Sequence, residues 1–354
     1  MKISFGVSVP TPDPQQGPDA FAHCFHWCER AEALGFDFVT LGHHRFTAGY
    51  QASPWVALGA IAARTTTLRL GTGVFILPLD HPLDVAEEVA TVDLISGGRV
   101  FLGAGLGYRR YEWDALNLPY ERRASRMEEC LTVLQEVWTH EKASFHGSHF
   151  SFDDVTVLPR PVQQPRPPVW IGANLAPAIA RAARLADAWI VGFGDRLDAL
   201  GDRVTDFRLQ SHANDRLGEI CLMRLVGIGG SRESVESDWL PATLDMLRGY
   251  RRAGAPGERD DDTAKQSRSR EGLRLGEAGQ GMFIAGTPDD VIAGITEAHK
   301  VTGCEYLQPS FGGGGPDAVL RALELFGREV IPAFRSGGRS GTGACDCATR
   351  AGQG

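Results

Sequence analysis

The chain has 354 residues, of which 43% are apolar and 23% charged, and its net charge is -8. That length allows one large barrel or two ordinary domains, and the composition is that of a soluble globular protein. The acidic balance leaves no basic stripe for nucleic acid, and no apolar run approaches the ~20 residues of a membrane span.

The first residues, MKISFGVSVP, hold too short an apolar run for a signal peptide and read as a first strand, so the expected location is the cytoplasm. A helix follows near residues 19–35 and stops at Gly35, since glycine just past the last turn ends a helix. A second strand at 37–42 leads to His43 and His44. Ser53 and Pro54 then open a helix as N-cap and first residue. LRLGTGVFI is the third strand, a helix over about 82–96 carries apolar residues at helical spacing, and RVFLGAG is the fourth strand. A fourth helix covers 120–138.

The alternation then changes. EKASFHGSHFSFDDVTV alternates apolar and polar residues around His-Gly-Ser, which reads as a β-hairpin insertion. The Pro-rich LPRPVQQPRPP crosses to the fifth strand, VWIGAN. A helix at 176–186, a strand at 187–192, a helix at about 196–214 and the strand CLMRLVGIG complete the next units. A polar segment from about 253 to 280 reads as an insertion before the eighth strand, EYLQPSF. Thr287 and Pro288 start the helix ahead of that strand, and DAVLRALELFGREVIPAF closes the domain. Strands joined by helices throughout imply a parallel sheet, and eight of them permit closure. The fold class is therefore α/β, a single (β/α)8 TIM barrel over residues 1–334. Residues 335–354 are Gly/Ser-rich without hydrophobic periodicity and are expected to be disordered.

In such a barrel the active site is built at the C-terminal strand ends. His43 and His44 stand there, with Gly73 and Val74, Gly105, Leu106, Gly107 and Tyr108, Ala173 and Asn174, and Gln308 and Ser310. A histidine at this place can give or take a proton near pH 7. Gly71 and Gly73 suit a bulge in the sheet or a planar ligand against the backbone. Backbone N–H groups of Ala173, Asn174 and the following helix around Ala178 suit an anion, with Arg109 or Arg110 as a source of charge. Gln308 and Ser310 face a substrate side. His81, His146, His149 and Trp189 read as packing or surface residues. The seven cysteines show no Cys-x-x-Cys pair, and no metal site is expected.

The blocks LGHHRF, SPWVALGAIAARTTTLRLGTGVFILPLDHP, AEEVATVDLISGGRVFLGAGLGY, RPPVWIGAN, AARLADAWI and GTPDD occur in order over most of residues 1–334. With them the chain resembles the bacterial luciferase-like flavin-dependent oxidoreductases. The resemblance implies a TIM barrel with insertions and a reduced flavin or deazaflavin at the strand ends. It places a non-proline cis peptide at Gly73–Val74 under the ring, and it matches His44 to the family's active-site histidine. Two departures stand out: the common Glu-His-His-Phe is here His43-His44-Arg45-Phe46, and the family's phosphate-holding arginine corresponds to Leu106.

The resemblance implies a monooxygenase using reduced FMN, supplied by a separate flavin reductase, and O2 on a largely apolar, small organic substrate. His44 and His43 are the expected catalytic residues. Gly73, Val74, Gly105, Leu106, Gly107, Tyr108, Arg109, Ala173, Asn174 and Ala178 are the expected cofactor contacts. One alternative is an oxidoreductase moving hydride with coenzyme F420; another is a flavin-binding accessory protein without catalysis. Neither nucleic acid nor membrane is an expected partner, and a homodimer is in keeping with the family.

Overall fold

A computed structural model describes residues 2–10, 17, 19–47, 50–252, 282–312 and 315–335. The eight predicted strands are present: β1 (Ser4–Ser8), β2 (Phe38–Leu41) and β3 (Arg69–Thr72), with its short continuation β4 (Phe75–Ile76), then β5 (Val100–Gly105). The hairpin β6 (Ala143–His146) and β7 (Ser151–Val155) stands outside the barrel. β8 (Val169–Gly172), β9 (Ala188–Val191), β10 (Glu219–Ile228), β11 (Phe283–Gly286) and β12 (Tyr306–Ser310) follow. The ring β1-β2-β3-β5-β8-β9-β10-β12 is parallel throughout. It closes where β10 pairs with both β9 and β12, and β12 pairs with β1.

Two elements lie beyond the sequence reading. β11 adds to the far half of β10, from Leu225 to Ile228. A helical run over Arg232–Ser234, Val235–Trp239 and Leu240–Arg252 covers this extension, packing Trp239 and Leu240 on Leu225. The polar segment 253–280 and the tail from 336 onward lie outside the described residues.

The inward residues near the strand starts form an aromatic floor. Phe101 stacks on Trp170 at 4.1 Å, Trp170 lies 4.6 Å from Tyr306, and Phe38 meets Trp170 edge-on at 5.5 Å. Arg69 lies over three of these rings, and Tyr306 donates to Glu219 Oε2 at 3.0 Å. Glycines make room for the rings: a Cβ on Gly6 would meet Phe38 at 2.0 Å, and one on Gly71 would meet Phe101 at 2.3 Å. Gly71 thus serves the floor rather than a ligand. The barrel is filled below and left to the strand ends above.

Conserving the wall takes specific polar latches. Arg99 donates to the carbonyls of Ala62, Thr65, Leu68 and Ser96, tying two helices to β3. Gly97 and Gly98 before it have φ of 67° and 86°, a backbone that favours glycine. Asp93, fully buried, accepts from the Val162 and Gln163 N–H groups at 2.8 and 3.0 Å and so pins the Pro-rich crossing. The described cysteines, Cys24, Cys28, Cys130, Cys221 and Cys304, are free and buried. No described helix is long and apolar enough to cross a membrane, and the described residues hold no cluster of three or more metal-ligating side chains.

Between β3 and β4 the chain leaves the ladder, and Thr72 fills the gap. Its Oγ1 donates to Gly103 O at 2.8 Å and accepts from Gly103 N at 3.1 Å. A Cβ on Gly103 would lie 1.8 Å from the Thr72 carbonyl oxygen, which is backbone and has nowhere to go. Gly103→Ala is therefore expected to destabilise the fold by about 3 kcal/mol or more. Urea unfolding measures it, and a loss under about 1 kcal/mol would show that β3 and β5 can separate freely.

Candidate active site

The break after β3 builds the platform of the mouth. The Gly73–Val74 peptide is cis, as the family resemblance implied. Gly73 N donates to Leu41 O at 2.9 Å, and Val74 O accepts from His43 N at 3.3 Å. The Val74 side chain turns inward above the floor, because Cβ atoms on Gly105 and Gly172 would meet it at 2.4 and 3.0 Å. Gln308 lies beneath this bulge. Its Nε2 donates to Ser8 Oγ at 2.7 Å and to Thr40 Oγ1 at 2.8 Å, and a Cβ on Gly73 would meet that Thr40 oxygen at 2.8 Å. The expected role of Gln308 on the substrate side is corrected accordingly: it is fully buried among the first and second strands. Ser310, two residues on, is half-buried at the strand end.

The two adjacent histidines part company. The His43 ring stacks on Phe75 at 4.5 Å and 13°, and its Nδ1 accepts from Ile76 N at 3.1 Å. Accepting that bond puts the neutral ring's proton on Nε2. Burial, helped by the Arg45 and His44 charges, pushes its pKa down to about 3. His43 is thus a neutral support for the strand after the bulge, which corrects its expected catalytic role.

His44 carries the arrangement expected of a proton-handling group. Its Nδ1 lies 3.1 and 3.4 Å from the two carboxylate oxygens of Glu112, and Glu112 is fully buried. Glu112 Oε1 also accepts from Arg45 N at 2.7 Å. The carboxylate orients the ring and leaves Nε2 as the nitrogen for a ligand. Tyr50 and Tyr108 meet the imidazole edge-on at 4.5 and 5.4 Å. Glu112 sits on the short helix Arg110–Ala115, whose six residues are too few to show a helical period in YRRYEWDAL. Nothing in that stretch marks the carboxylate as special until the fold brings it to His44.

Arg45, the other departure in the triplet, pairs with Asp80 from the LPLDHP block. Burial outweighs that pairing and raises the Asp80 carboxyl to about 6. His81 caps the next helix, accepting from Leu83 N at 3.3 Å, and Trp189 is core, as read from the sequence.

The expected anion cradle does not survive intact. Ala173 N donates to Ile190 O and Ala178 N donates to Leu175 O at 2.8 Å, so both N–H groups are already used. The charge at this strand end comes from Arg203, which donates to Asn174 O at 2.5 Å and to Asp195 at 2.7 Å. Leu106 packs against the core, Gly107 turns the chain at φ 74°, and Tyr108 follows at the rim. Arg109 is buried while Arg110 is exposed and pairs with Glu121.

Parallel barrel, bulge and carboxylate-held histidine at the strand ends define a class, and comparison with known proteins agrees. The family model described as luciferase-like monooxygenase matches residues 3–303, so the chain belongs to that family. An FMNH(2)-dependent dimethylsulfone monooxygenase from Pseudomonas putida is 27% identical over 320 residues, covering 86% of this chain and 85% of that protein. An F420-dependent glucose-6-phosphate dehydrogenase from Nakamurella multipartita is 29% identical over 325 residues, covering 86% and 90%. The monooxygenase RslO1 from Streptomyces bottropensis shares the fold at a TM-score of 0.80 and 24% identity, covering 94% of this chain and 100% of that one. The relatives are oxidoreductases of both the FMNH2 and the F420 kind.

The pKa of His43 gives a stability test. The folded state holds it near 3 against 6.5 in the open chain, so its contribution is present above pH 6.5 and lost as pH falls toward 3. Asp80, raised to about 6, works in the opposite direction over the window from about 6 down to 3.8. Comparing wild type with His43→Gln isolates the histidine. Between pH 6 and 4 the wild type should lose up to about 1.4 kcal/mol more per pH unit. Parallel stability curves in urea would mean that His43 titrates freely.

Proposed function

We propose that this protein is a monooxygenase that uses reduced FMN and O2 on a small, largely apolar organic molecule. The observation that carries this reading is the His44–Glu112 pair: an imidazole at the barrel mouth, held at Nδ1 by a buried carboxylate, with Nε2 left for the reacting partners. The buried Tyr108 hydroxyl beside the imidazole fits a flavin ring, whose pyrimidine edge accepts hydrogen bonds. The Tyr108 hydroxyl is a donor without an acceptor. Val74 and the glycines at 73, 105 and 107 would carry the ring face.

A bound reduced flavin supplies the electrons for reduction of O2 and transfer of one oxygen atom to the substrate. The chain's own part is proton control and exclusion of water. His44 Nε2 gives or takes a proton while Glu112 keeps the ring in place and offsets its positive charge. Tyr50 and Tyr108 wall the imidazole. GTGVFI runs on into β4 and opens no helix, which supports reduction of the flavin on a separate reductase.

The second reading is hydride transfer with coenzyme F420. The same pair favours it, because a carboxylate-held imidazole suits removal of a proton from an alcohol as hydride leaves.

Anaerobic titration of the purified protein with reduced FMN and with reduced F420 in parallel separates the two. Selective binding of reduced FMN, followed by substrate-dependent O2 consumption, is the expected result. Selective F420 binding would move the assignment to hydride transfer, and binding of neither would sink both. With the cofactor bound, His44→Gln should lower turnover about 10²–10⁴-fold and leave cofactor affinity unchanged. Glu112→Gln should cost less, about tenfold to a hundredfold, because the imidazole remains but is no longer held. Turnover unchanged in His44→Gln would remove the histidine from the chemistry.

A further inference from the structure

We propose that Arg109 is the anchor for a carboxylate of the substrate, which makes the substrate a small organic acid with an apolar body. This rests on the flavin-dependent reading above and names the substrate class for that site. Arg109 is only 5% exposed. Its Nη1 donates to two neutral hydroxyls, Thr47 Oγ1 at 3.2 Å and Tyr111 at 3.4 Å, and its Nε is buried without an acceptor. The guanidinium lies over the rings of Tyr50 at 4.7 Å and Tyr108 at 5.5 Å. Hydroxyls and ring faces hold its charge, and no described carboxylate pairs with it. Arg181, about as deeply buried, has Glu128 at 2.8 Å.

A buried guanidinium without a counter-charge is costly, and the cost falls when an anion arrives. Two kinds of anion reach a flavin site: the phosphate of the cofactor and an acid group of the substrate. Position favours the substrate. Tyr50 and Tyr108, which carry the guanidinium, are the same two rings that edge the His44 imidazole. An anion on Arg109 therefore shares its aromatic walls with the His44 imidazole. A flavin's phosphate lies a whole ribityl chain away from its reactive ring. A carboxylate would be bound here by a charge-assisted fork.

The test uses benzoate and its neutral isostere benzamide as probes, read by the rise in melting temperature over a concentration series. Wild type, Arg109→Gln and Arg109→Lys are compared, and the affinities of reduced FMN and reduced riboflavin are measured anaerobically on each. The expected result is benzoate binding to wild type at least about tenfold tighter than benzamide, a preference lost in Arg109→Gln and partly kept in Arg109→Lys. The ratio of FMN to riboflavin affinity should be the same in all three proteins. If Arg109→Gln instead brings FMN down to riboflavin's affinity and leaves benzoate untouched, the anion is the cofactor's phosphate and the proposal falls. Equal binding of benzoate and benzamide by wild type also overturns it. Arg109-dependent benzoate binding in a protein that binds neither flavin nor F420 would keep the acid subsite and remove the flavin reading.

Discussion

Closing eight parallel strands leaves an interior that must be filled with side chains, and the filling decides where a site can be. Here Phe38, Phe101, Trp170 and Tyr306 fill the lower interior, with Arg69 lying over the rings and Glu219 accepting from Tyr306. Gly6 and Gly71 exist to admit two of those rings. Above the floor the inward positions become Gly103, Gly105 and the small or hydroxylated residues Thr40 and Ser8, and one inward valine, Val74, forms the next layer. The bulge at Gly73–Val74 lies between β3 and β4.

The mouth is ruled by burial more than by charge count. Replacing an acidic residue and a histidine in the family motif by His43 and Arg45 would add positive charge in water. In the folded chain His43 is neutral, and Arg45 is matched by Asp80. Among the described residues near His44, the buried cation Arg109 is held by aromatic faces and hydroxyls. A site with a carboxylate behind its imidazole and a cation beside it is polarised, and a ligand entering it is oriented by that field before any contact is optimised.

Much of this was legible in the sequence because it is written in periodicity and punctuation. All eight barrel strands, the hairpin and most helices follow from alternation, caps and glycine stops. His44 was legible as a polar residue at a strand end. What could not be read depends on partners brought together across the chain. Glu112 reaches His44 from 68 residues away, on a helix too short to show a period. The helical run over 232–252 lies in a polar stretch, and β11 is only four residues long. The N–H groups of Ala173 and Ala178 look free in sequence, but the strand ladder and the first helical turn consume them. Gln308 sits at a plausible strand end and yet faces inward, which only the register of β12 decides.

That same Gln308 has a consequence for how the chain is made. It joins the last strand to hydroxyls of the first two, and β12 is also the partner of β1, about 300 residues away along the chain. Until the final unit emerges during synthesis, β1 and the most recently made barrel strand each present a bare edge, and the seam cannot be stitched. Contacts of such long separation come late because the loop they close is large. The nascent chain therefore carries two adhesive edges for most of its assembly.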